Sequence, residues 1–268
     1  MPTVGDRAAR LSIEVIGSPK WRHMSRDFVI KLCDQEAAEG RSDKEVVKRV
    51  KRKLHQVGGA YFRGPPRYAR WLDDLRQAHA GRDRLNAIEN ILEHHTSQDE
   101  RMIRLKDYYA ALFDSVGHVD CVLDLACGFN PLARPWMPIA PSRYLATDIY
   151  SDLVAFLAEA GTLIGFPVEA FVHDLTTGPP DAAADVALLL KAVPCLDQID
   201  ARTSARLLAA LRAPIVLITF PVRSLGGREK GMRSQYSDRL HDIVGPLNYA
   251  VAPLELPSEL GFKLSRLP

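Results

Sequence analysis

Apolar residues recur at helical spacing through the first hundred residues of the chain. Ser25 is placed to cap a helix through RDFVIKLCDQEAAEG that ends at Gly40, and Ser42 with Glu45 forms a capping-box pattern ahead of a second helix. The same spacing continues through three later segments, RYARWLDDLRQAHA, DRLNAIENILEHH and SQDERMIRLKDYYAALFDSVG. No strand-like alternation occurs before about residue 118. The pattern therefore predicts an all-helical N-terminal domain.

After residue 118 the pattern changes to short apolar runs separated by helical or turn-rich segments. The runs are CVLDLAC (121–127), YLATDIY (144–150), VEAFVHD (168–174), DVALLLK (185–191) and PIVLITF (214–220). Such runs are typical of parallel strands buried on both faces, and LNYAVAPLEL and GFKLSRL predict a closing antiparallel hairpin. We therefore predict an α/β fold with a mostly parallel seven-stranded sheet in residues 111–268, preceded by the helical domain in residues 1–110.

Composition excludes several classes of protein. The 268 residues are 47% apolar, which is enough for a sizeable core. The four cysteines form neither a CxxC pair nor a Cys/His cluster, so we predict no disulfide framework and no zinc site. Neither a secretory segment nor a run of 18 apolar residues is present. We expect a cytoplasmic protein without membrane contact, and by default a monomer.

The net charge of +2 conceals an asymmetry between the two predicted domains. Residues 1–110 hold 22 Lys and Arg against 16 Asp and Glu, whereas the remainder holds 13 against 17. A basic domain beside an acidic one favours a polyanionic partner for the basic part. Ordinary variation of surface charge is the alternative.

The stretch DLACGFNPLARPWM (124–137) follows the first predicted strand, where ligands bind in sheets of this kind. A pyrophosphate site needs GxGxxG, but here Gly128 stands alone and Pro131 lacks a backbone N–H at the expected helix start. The loop therefore favours a ligand with a nucleoside and no phosphate, and S-adenosylmethionine (SAM) is the leading candidate.

Acidic residues at the ends of the next two strands agree with this interpretation. Asp148 ends the second strand, where a carboxylate can accept both ribose hydroxyls, and Asp174-Leu175 ends the third, where adenine would lie. Each of these carboxylates has an alternative role as a cap of the following helix. The loop and the two carboxylates, taken in this order, favour SAM binding.

Five stretches together resemble a known family. They are RKLHQVGGAYF (52–62), HTSQDER (95–101), DLACGFNPLARPWM (124–137), LLLKAVPCLDQ (188–198) and FPVRSLGGREKGM (220–232). They resemble the aminoglycoside-resistance 16S rRNA methyltransferases of the Arm type, which methylate guanine N7 in the decoding site. In that family the second stretch has Thr where this chain has Gln98. The resemblance implies a Rossmann-like SAM-dependent methyltransferase domain, S-adenosylhomocysteine as product, and a helical domain that docks on the 30S ribosomal subunit.

The resemblance also implies roles for individual residues. The guanidinium of Arg101 would hold the methionine carboxylate of SAM through charge-assisted hydrogen bonds. Gly128 and the backbone around Ala126 would approach the methionine moiety, and Asp148 would hold the ribose. Asp174 and Leu175 would hold the adenine, and Gln198 would line the adenosine pocket.

Guanine N7 is a lone-pair nucleophile with no proton to lose, so the reaction needs positioning rather than a general base. By the same resemblance, Lys191 and Pro194 at the end of the fourth strand would meet the target base. Lys191 would donate to guanine O6 or to a flanking phosphate. The alternative is a lysine that is merely exposed at a strand end.

Basic residues supply candidates for RNA contact. A run on one predicted helix is followed by three arginines interleaved with the aromatics Tyr61, Phe62, Tyr68 and Trp71, which favours phosphate contact over a plain solvated face. The candidates are Lys48, Arg49, Lys51, Arg52, Lys53, Arg63, Arg67 and Arg70, together with Arg223 and Arg228 in the stretch 220–232.

Other residues are not expected to take part in chemistry. His94, His95 and His173 lack partners at metal-ligand spacing, so we predict no metal site. His95 is expected to fix the segment leading to Arg101, and Cys195 to be structural. Two alternatives remain open: a SAM-dependent methyltransferase of a small molecule, with the basic domain as a lid, and a non-catalytic ribosome-binding factor.

Overall fold

The structure is a computed structural model that describes residues 4–59, 61–222 and 232–268. Its centre is a seven-stranded sheet in the order β3-β2-β1-β4-β5-β7-β6. The strands are β1 Cys121–Leu125, β2 Arg143–Asp148, β3 Glu169–Val172, β4 Val186–Leu190, β5 Ile215–Pro221, β6 Tyr249–Leu254 and β7 Glu259–Arg266. β1 to β5 are parallel, and β7 runs antiparallel to both β5 and β6. The predicted sheet and its closing hairpin are confirmed.

Helices precede the sheet and cover its faces. They are α1 Val4–Ile16, α2 Arg26–Ala38, α3 Asp43–Leu54, α4 Tyr68–Gln77, α5 Arg82–Leu92, α6 Asp99–Met102, α7 Leu105–Leu112, α8 Ser151–Leu163, α9 Val193–Asp197, α10 Thr203–Ala210 and α11 Met232–Val244. A π-helical turn at His55–Gly59 extends α3, and 3-10 turns occupy Thr96–Gln98, Asn130–Trp136 and Leu175–Thr177. The N-terminal region is helical, as predicted.

The predicted start signals act as expected at two helices. The side chain of Ser25 accepts from the backbone N–H of Phe28 at the start of α2, and Ser42 with Glu45 forms a capping box at α3. Helix α2 ends ahead of Gly40, whose φ of +73° suits the left-handed region.

One predicted helix is interrupted. Residues 97–117 have a continuous helical pattern, yet the structure breaks between α6 and α7, where Arg104 has φ −142° and ψ 45°. The break separates Arg101, whose guanidinium is buried against β7, from α7, which buries its own face with Tyr108 and Tyr109. Residues on both sides of the break, Arg101 and Tyr108, bond the carboxylate of Glu259, a long-range contact that the local helical pattern does not show.

The core is shared by the helical region and the sheet. One cluster of buried side chains extends from Leu32 and Leu54 of the helices to Phe129 and Leu188 beside the sheet. A second cluster, including Leu207, lies on the opposite face. The predicted boundary near residue 110 falls inside α7. Within the described residues, no helix combines the length and the apolar character needed to cross a membrane.

Candidate functional site

A pocket lies at the carboxyl ends of β1 to β4. The sheet contributes Asp124, Ala126, Gly128, Asp148, Asp174, Leu175 and Lys191 to its lining. The helical region contributes Phe28, Val57, Tyr61, Phe62, Gln98 and Arg101. Seven of the residues predicted for cofactor or target binding therefore share one pocket, and the N-terminal helices form one of its walls.

The turn after β1 depends on two residues with positive φ. Ala126 has φ +50° and Gly128 has φ +51°. A Cβ on Gly128 would lie 3.2 Å from the ring of His95, so this glycine is required both by backbone angle and by close approach. The N–H of Gly128 donates to Asp148 Oδ2 at 3.1 Å, which joins the first two strand ends. Pro131 stands at the start of a 3-10 turn rather than an α-helix.

The two strand-end carboxylates both face the pocket and both have backbone partners. Asp148 Oδ1 accepts from the N–H of Ile149 at 2.7 Å, and burial raises the pKa of this carboxyl. Asp174 Oδ1 accepts from the N–H and the hydroxyl of Thr176 at 2.8 and 2.6 Å. Asp174 thus caps the following turn, as its alternative interpretation held. Because a carboxylate offers about four acceptor positions, both residues keep capacity for a ligand.

Helix α2 is tied to the pocket next to Asp174. The ammonium of Lys31 donates to Thr176 Oγ1 at 2.7 Å and to the Thr176 carbonyl at 3.2 Å, and lies 3.9 Å from Asp174 Oδ2. Phe28, one turn earlier on the same helix, lines the pocket. This contact has no signal in the sequence, because nothing local in α2 indicates a partner 145 residues away.

Glu259 on β7 organises the cations of the pocket. Its carboxylate accepts from Arg101 Nε at 2.6 Å and Nη2 at 3.0 Å, and from the Tyr108 hydroxyl at 2.8 Å. Lys191 Nζ lies 3.0 Å from its Oε1. Burial alone would raise the pKa of Glu259, but the attraction of Arg101 and Lys191 outweighs it and lowers the pKa to about 2. Glu259 was not predicted, because its partners Arg101 and Lys191 are remote from it in the chain.

Lys191 is not a strand-end lysine in solvent. It is buried, has φ +60°, and donates to the carbonyl of Ser97 at 3.0 Å as well as contacting Glu259. The alternative of simple exposure is wrong. Contact of Lys191 with a target base remains a prediction. The structure shows that Ser97 and Glu259 hold its ammonium group.

Two predicted residues lie away from the pocket lining. Gln198 is exposed, whereas Leu196 and Ile199 line the pocket in this region, so the prediction for Gln198 is not supported. Pro194 is half-buried in the first turn of α9 and does not line the pocket either. Helical geometry explains the difference for Gln198, because Leu196 and Ile199 are three residues apart and share one face, whereas Gln198 points to another.

A buried polar network supports Arg101 from behind. Asn130 Oδ1 accepts from Arg101 Nη1 at 3.2 Å and from the Tyr109 hydroxyl at 2.6 Å, and its Nδ2 donates to Asp124 Oδ2 at 2.8 Å. The Tyr144 hydroxyl also donates to that oxygen. Burial raises the pKa of Asp124 to about 7. Fully bonded networks of this kind hold side chains in one arrangement.

His95 fixes the segment that leads to Arg101, as expected. Its Nδ1 lies 2.6 Å from Ser97 Oγ, and its ring stacks on Tyr61 and meets Phe62 edge-on. Burial and the nearby charge of Arg101 lower its pKa to about 3, so the ring is neutral. His94 and His173 contact backbone carbonyls. In the described part of the chain, no group of three or more His, Cys, Asp or Glu side chains is arranged to hold a metal.

The basic run of α3 divides between two directions. Lys53 pairs with buried Glu36 at 2.7 Å and Arg49 lies 3.9 Å from it, whereas Lys48 and Arg52 are exposed and Lys51 is half-buried. Arg63, Arg67 and Arg70 are exposed; Arg67 bonds His94 and Arg70 lies near Asp74. Phosphate contact by these residues remains a prediction. Arg223 and Arg228 lie outside the described residues.

The interleaved aromatics belong to the core rather than to an RNA surface. Trp71 is buried, Tyr68 stacks on Phe156, and Phe62 packs edge-on against Phe129. The Tyr61 hydroxyl and Cys195 Sγ form a hydrogen bond of 2.8 Å, which joins the helical wall to α9. These aromatics therefore do not support phosphate contact, and the prediction depends on the exposed basic side chains alone.

Comparisons with known proteins agree with this geometry. The model of a family described as ribosomal RNA methyltransferase (FmrO) matches residues 17–260. The chain is 33% identical over 267 residues to the 16S rRNA (guanine(1405)-N(7))-methyltransferase of Micromonospora echinospora, covering 97% of both. It is 36% identical over 264 residues to the enzyme of the same description from Frankia casuarinae, covering 96% of this chain and 93% of the relative.

A solved structure is similar over almost the whole chain. The crystal structure of the 16S rRNA methyltransferase RmtF in complex with S-adenosyl-L-homocysteine superimposes with a TM-score of 0.83 at 28% identity. The match covers 97% of this chain and 98% of that one. The likeness therefore includes both the helical region and the sheet.

Proposed function

This chain belongs to the ribosomal RNA methyltransferase (FmrO) family, and we propose that it methylates N7 of guanosine 1405 of 16S rRNA within the 30S subunit. SAM-dependent methylation of guanine N7 in 16S rRNA is the activity of its relatives at 33% and 36% identity over nearly full length, and it is the activity of this chain. The modification would protect the decoding site from aminoglycosides.

The observation that carries the cofactor's placement is the set of polar groups around the pocket. Arg101 and Lys191 both lie at the carboxylate of Glu259, so two cations meet at one side of the pocket. The guanidinium of Arg101 can still hold the methionine carboxylate of SAM, because Glu259 and Asn130 take only three of its five N–H groups. Asp148 offers acceptors for the ribose diol, and Asp174 with Leu175 the polar edge for adenine. The donor and acceptor set fits SAM.

Bound in this pocket, SAM would supply a methyl group on a sulfonium. The residues of the chain would position the two reactants and would not need to activate either of them. Guanine N7 attacks with a lone pair, so no side chain has to remove a proton. His95 agrees with this, because it is buried, neutral and hydrogen-bonded to Ser97. Alignment of the reacting atoms can lower the barrier by roughly 7–11 kcal/mol. Lys191, held by Glu259 and Ser97, would fix the edge of the target base.

The helical region would have two tasks. Its exposed basic residues, including Lys48, Arg52 and Arg63, would contact rRNA phosphates and place the enzyme on the subunit. Its inner surface lines the pocket with Phe28 and is tied to it by Lys31, which donates to Thr176. We propose a monomeric, cytoplasmic enzyme in which residues 1–110 and 111–268 form these two functional parts.

Transfer from labelled SAM to intact 30S subunits, beside naked 16S rRNA, tests the proposal. Borohydride and aniline treatment should then cleave the labelled rRNA once, at guanosine 1405. The variant Asp148→Asn, which removes the charge of the carboxylate predicted to hold the ribose, is compared with the unaltered chain. SAM binding without label on either RNA would contradict the proposal and favour a small-molecule substrate or a non-catalytic factor.

A further inference from the structure

Gln98 is an unexplained polar side chain in the pocket. It lines the pocket together with Ser97 and Arg101, and only 1% of its surface is exposed. Its side-chain oxygen has no hydrogen-bond partner among the described residues. A buried polar atom left without a partner costs about 1–3 kcal/mol, so such an atom in a binding pocket points to a missing ligand group.

The surroundings of Gln98 are already committed to other partners. The carbonyl of Ser97 accepts from Lys191, and the guanidinium of Arg101 is bonded to Glu259 and Asn130. The backbone N–H of Gln98 itself donates to the carbonyl of His95. The carboxamide is therefore an uncharged polar group beside two cations, and none of these neighbours uses its oxygen.

The ligand's own chemistry identifies the group that Gln98 can serve. In an α-amino acid, the ammonium and the carboxylate are attached to the same carbon, so an ammonium must accompany any carboxylate bound at Arg101. Arg101 and Lys191 attract the carboxylate but repel the ammonium, which therefore needs a nearby acceptor. Gln98 precedes Arg101 by three residues, across the junction of a 3-10 turn and α6. A carboxamide can exchange its oxygen and nitrogen by rotation, so either edge can face the ligand.

We propose that the carboxamide oxygen of Gln98 accepts a hydrogen bond from the α-ammonium of the bound cofactor and so selects ligands with a complete amino-acid end. This inference rests on the proposed function, which places the methionine carboxylate at Arg101. Gln98 and Arg101 together then form a clamp for the two charged groups of one amino acid.

Calorimetric titration with two matched ligands tests the clamp. The ligands are S-adenosylhomocysteine and its deaminated analogue, in which hydrogen replaces the ammonium. In Gln98→Met, which keeps side-chain length without an acceptor, the preference for S-adenosylhomocysteine over the analogue should fall by about tenfold. Affinity for the analogue should stay within about twofold. The control Ile199→Ala, at another lining position, should weaken both ligands alike.

A second variant and melting curves protect the test against misfolding. Gln98→Leu, which is shorter and also lacks an acceptor, should lose the same preference. Equal weakening of both ligands by Gln98→Met would overturn the proposal and leave a packing role. Unchanged binding of both ligands with loss of methylation would overturn it in favour of a target-base contact. Failure of the wild-type chain to bind either ligand would instead contradict the cofactor placement itself.

Discussion

Arg101 and Glu259 meet in a two-pronged ion pair although 158 residues separate them in the chain. Both side chains are buried, and Lys191 approaches the same carboxylate. A buried carboxylate that contacts two cations from different segments joins the helical region, the end of β4 and the antiparallel strand β7. The pair therefore links the geometry of the pocket to the closure of the sheet.

Glu259→Gln should destabilise the fold strongly. The substitution keeps the shape but leaves Arg101 and Lys191 without their shared negative charge, and breaking a buried pair costs about 3–5 kcal/mol. Urea denaturation measures the free energy of unfolding. Glu169→Gln, which breaks the exposed pair with Arg143, is the control and should change it little. Equal effects of the two substitutions would contradict the prediction.

His95 should contribute a pH dependence of stability. Its pKa is about 3 in the folded chain against about 6.5 unfolded, so the unfolded state binds the extra proton between these values. The contribution is complete above about pH 6.5 and is lost as the pH falls. His95→Gln should therefore reduce the slope of unfolding free energy against pH by up to about 1.4 kcal/mol per unit between pH 4 and 6.

Asp124→Asn gives the opposite sign and serves as the companion variant. The pKa of Asp124 is raised to about 7 by burial, so the folded state holds its proton where the unfolded state releases it. The contribution of Asp124 lowers the free energy of unfolding as the pH rises from about 4 to 7. Asp124→Asn should therefore increase the slope of unfolding free energy against pH, whereas His95→Gln decreases it. Slopes that move together in the two variants would refute both assignments.

Lys31→Met should weaken cofactor binding without touching the target site. It removes the hydrogen bonds to Thr176 that hold α2 beside Asp174. One or two such bonds correspond to a loss of about threefold to tenfold in affinity for S-adenosylhomocysteine by calorimetry. The exposed Lys48→Met on α3 is the matched control. If the two variants bind equally well, the helical wall does not support the adenosine site.

Gly128→Ala should lose cofactor affinity by more than about tenfold. The alanine must adopt φ near +51° at a cost of about 1–2 kcal/mol, and its Cβ lies 3.2 Å from His95. Gly165→Ala separates these effects, because Gly165 has φ +81° but no atom within 4 Å of an added Cβ. The control should lower the melting temperature while leaving affinity unchanged; loss of affinity there would point to a general backbone effect.

Replacing Lys48 and Arg52 with Ala should weaken 30S binding and its salt dependence. Each lost phosphate contact reduces the slope of log K against log salt by about 0.7–0.9, because fewer counterions are released. Affinity for S-adenosylhomocysteine should not change. Arg143→Ala, at the start of β2 in an exposed pair with Glu169, is the control for loss of a basic side chain elsewhere on the surface. An unchanged salt slope would exclude this face of α3 from the rRNA contact.

Local signals were sufficient for most of the fold. Short continuous runs of apolar residues predicted the parallel strands. Capping residues such as Ser25 and the Ser42–Glu45 box predicted the helix starts. Both signals act within a few residues of the chain. The single glycine at Gly128 and the strand-end carboxylates Asp148 and Asp174 predicted the pocket for the same reason. Strand ends in a parallel sheet meet at one edge whatever the rest of the chain does.

The failures share a different cause. The aromatics around Tyr68 were taken for an RNA surface and Gln198 for a pocket residue, because sequence spacing does not say which side of an element faces the core. The partners of Lys191 were invisible for a related reason. Its ammonium is held by Ser97 and Glu259, which lie far from Lys191 in the chain, one before it and one after it.

The sequence by itself determined the order of helices and strands, the SAM loop and the family, since each depends on residues that are neighbours in the chain. Only the tertiary structure decided which charges are buried, which face of α3 meets solvent, and that Lys31 and Glu259 contact residues that line the pocket. Burial and ion pairing depend on distances between remote segments. Those distances exist only after the sheet has closed and the helices have packed against it.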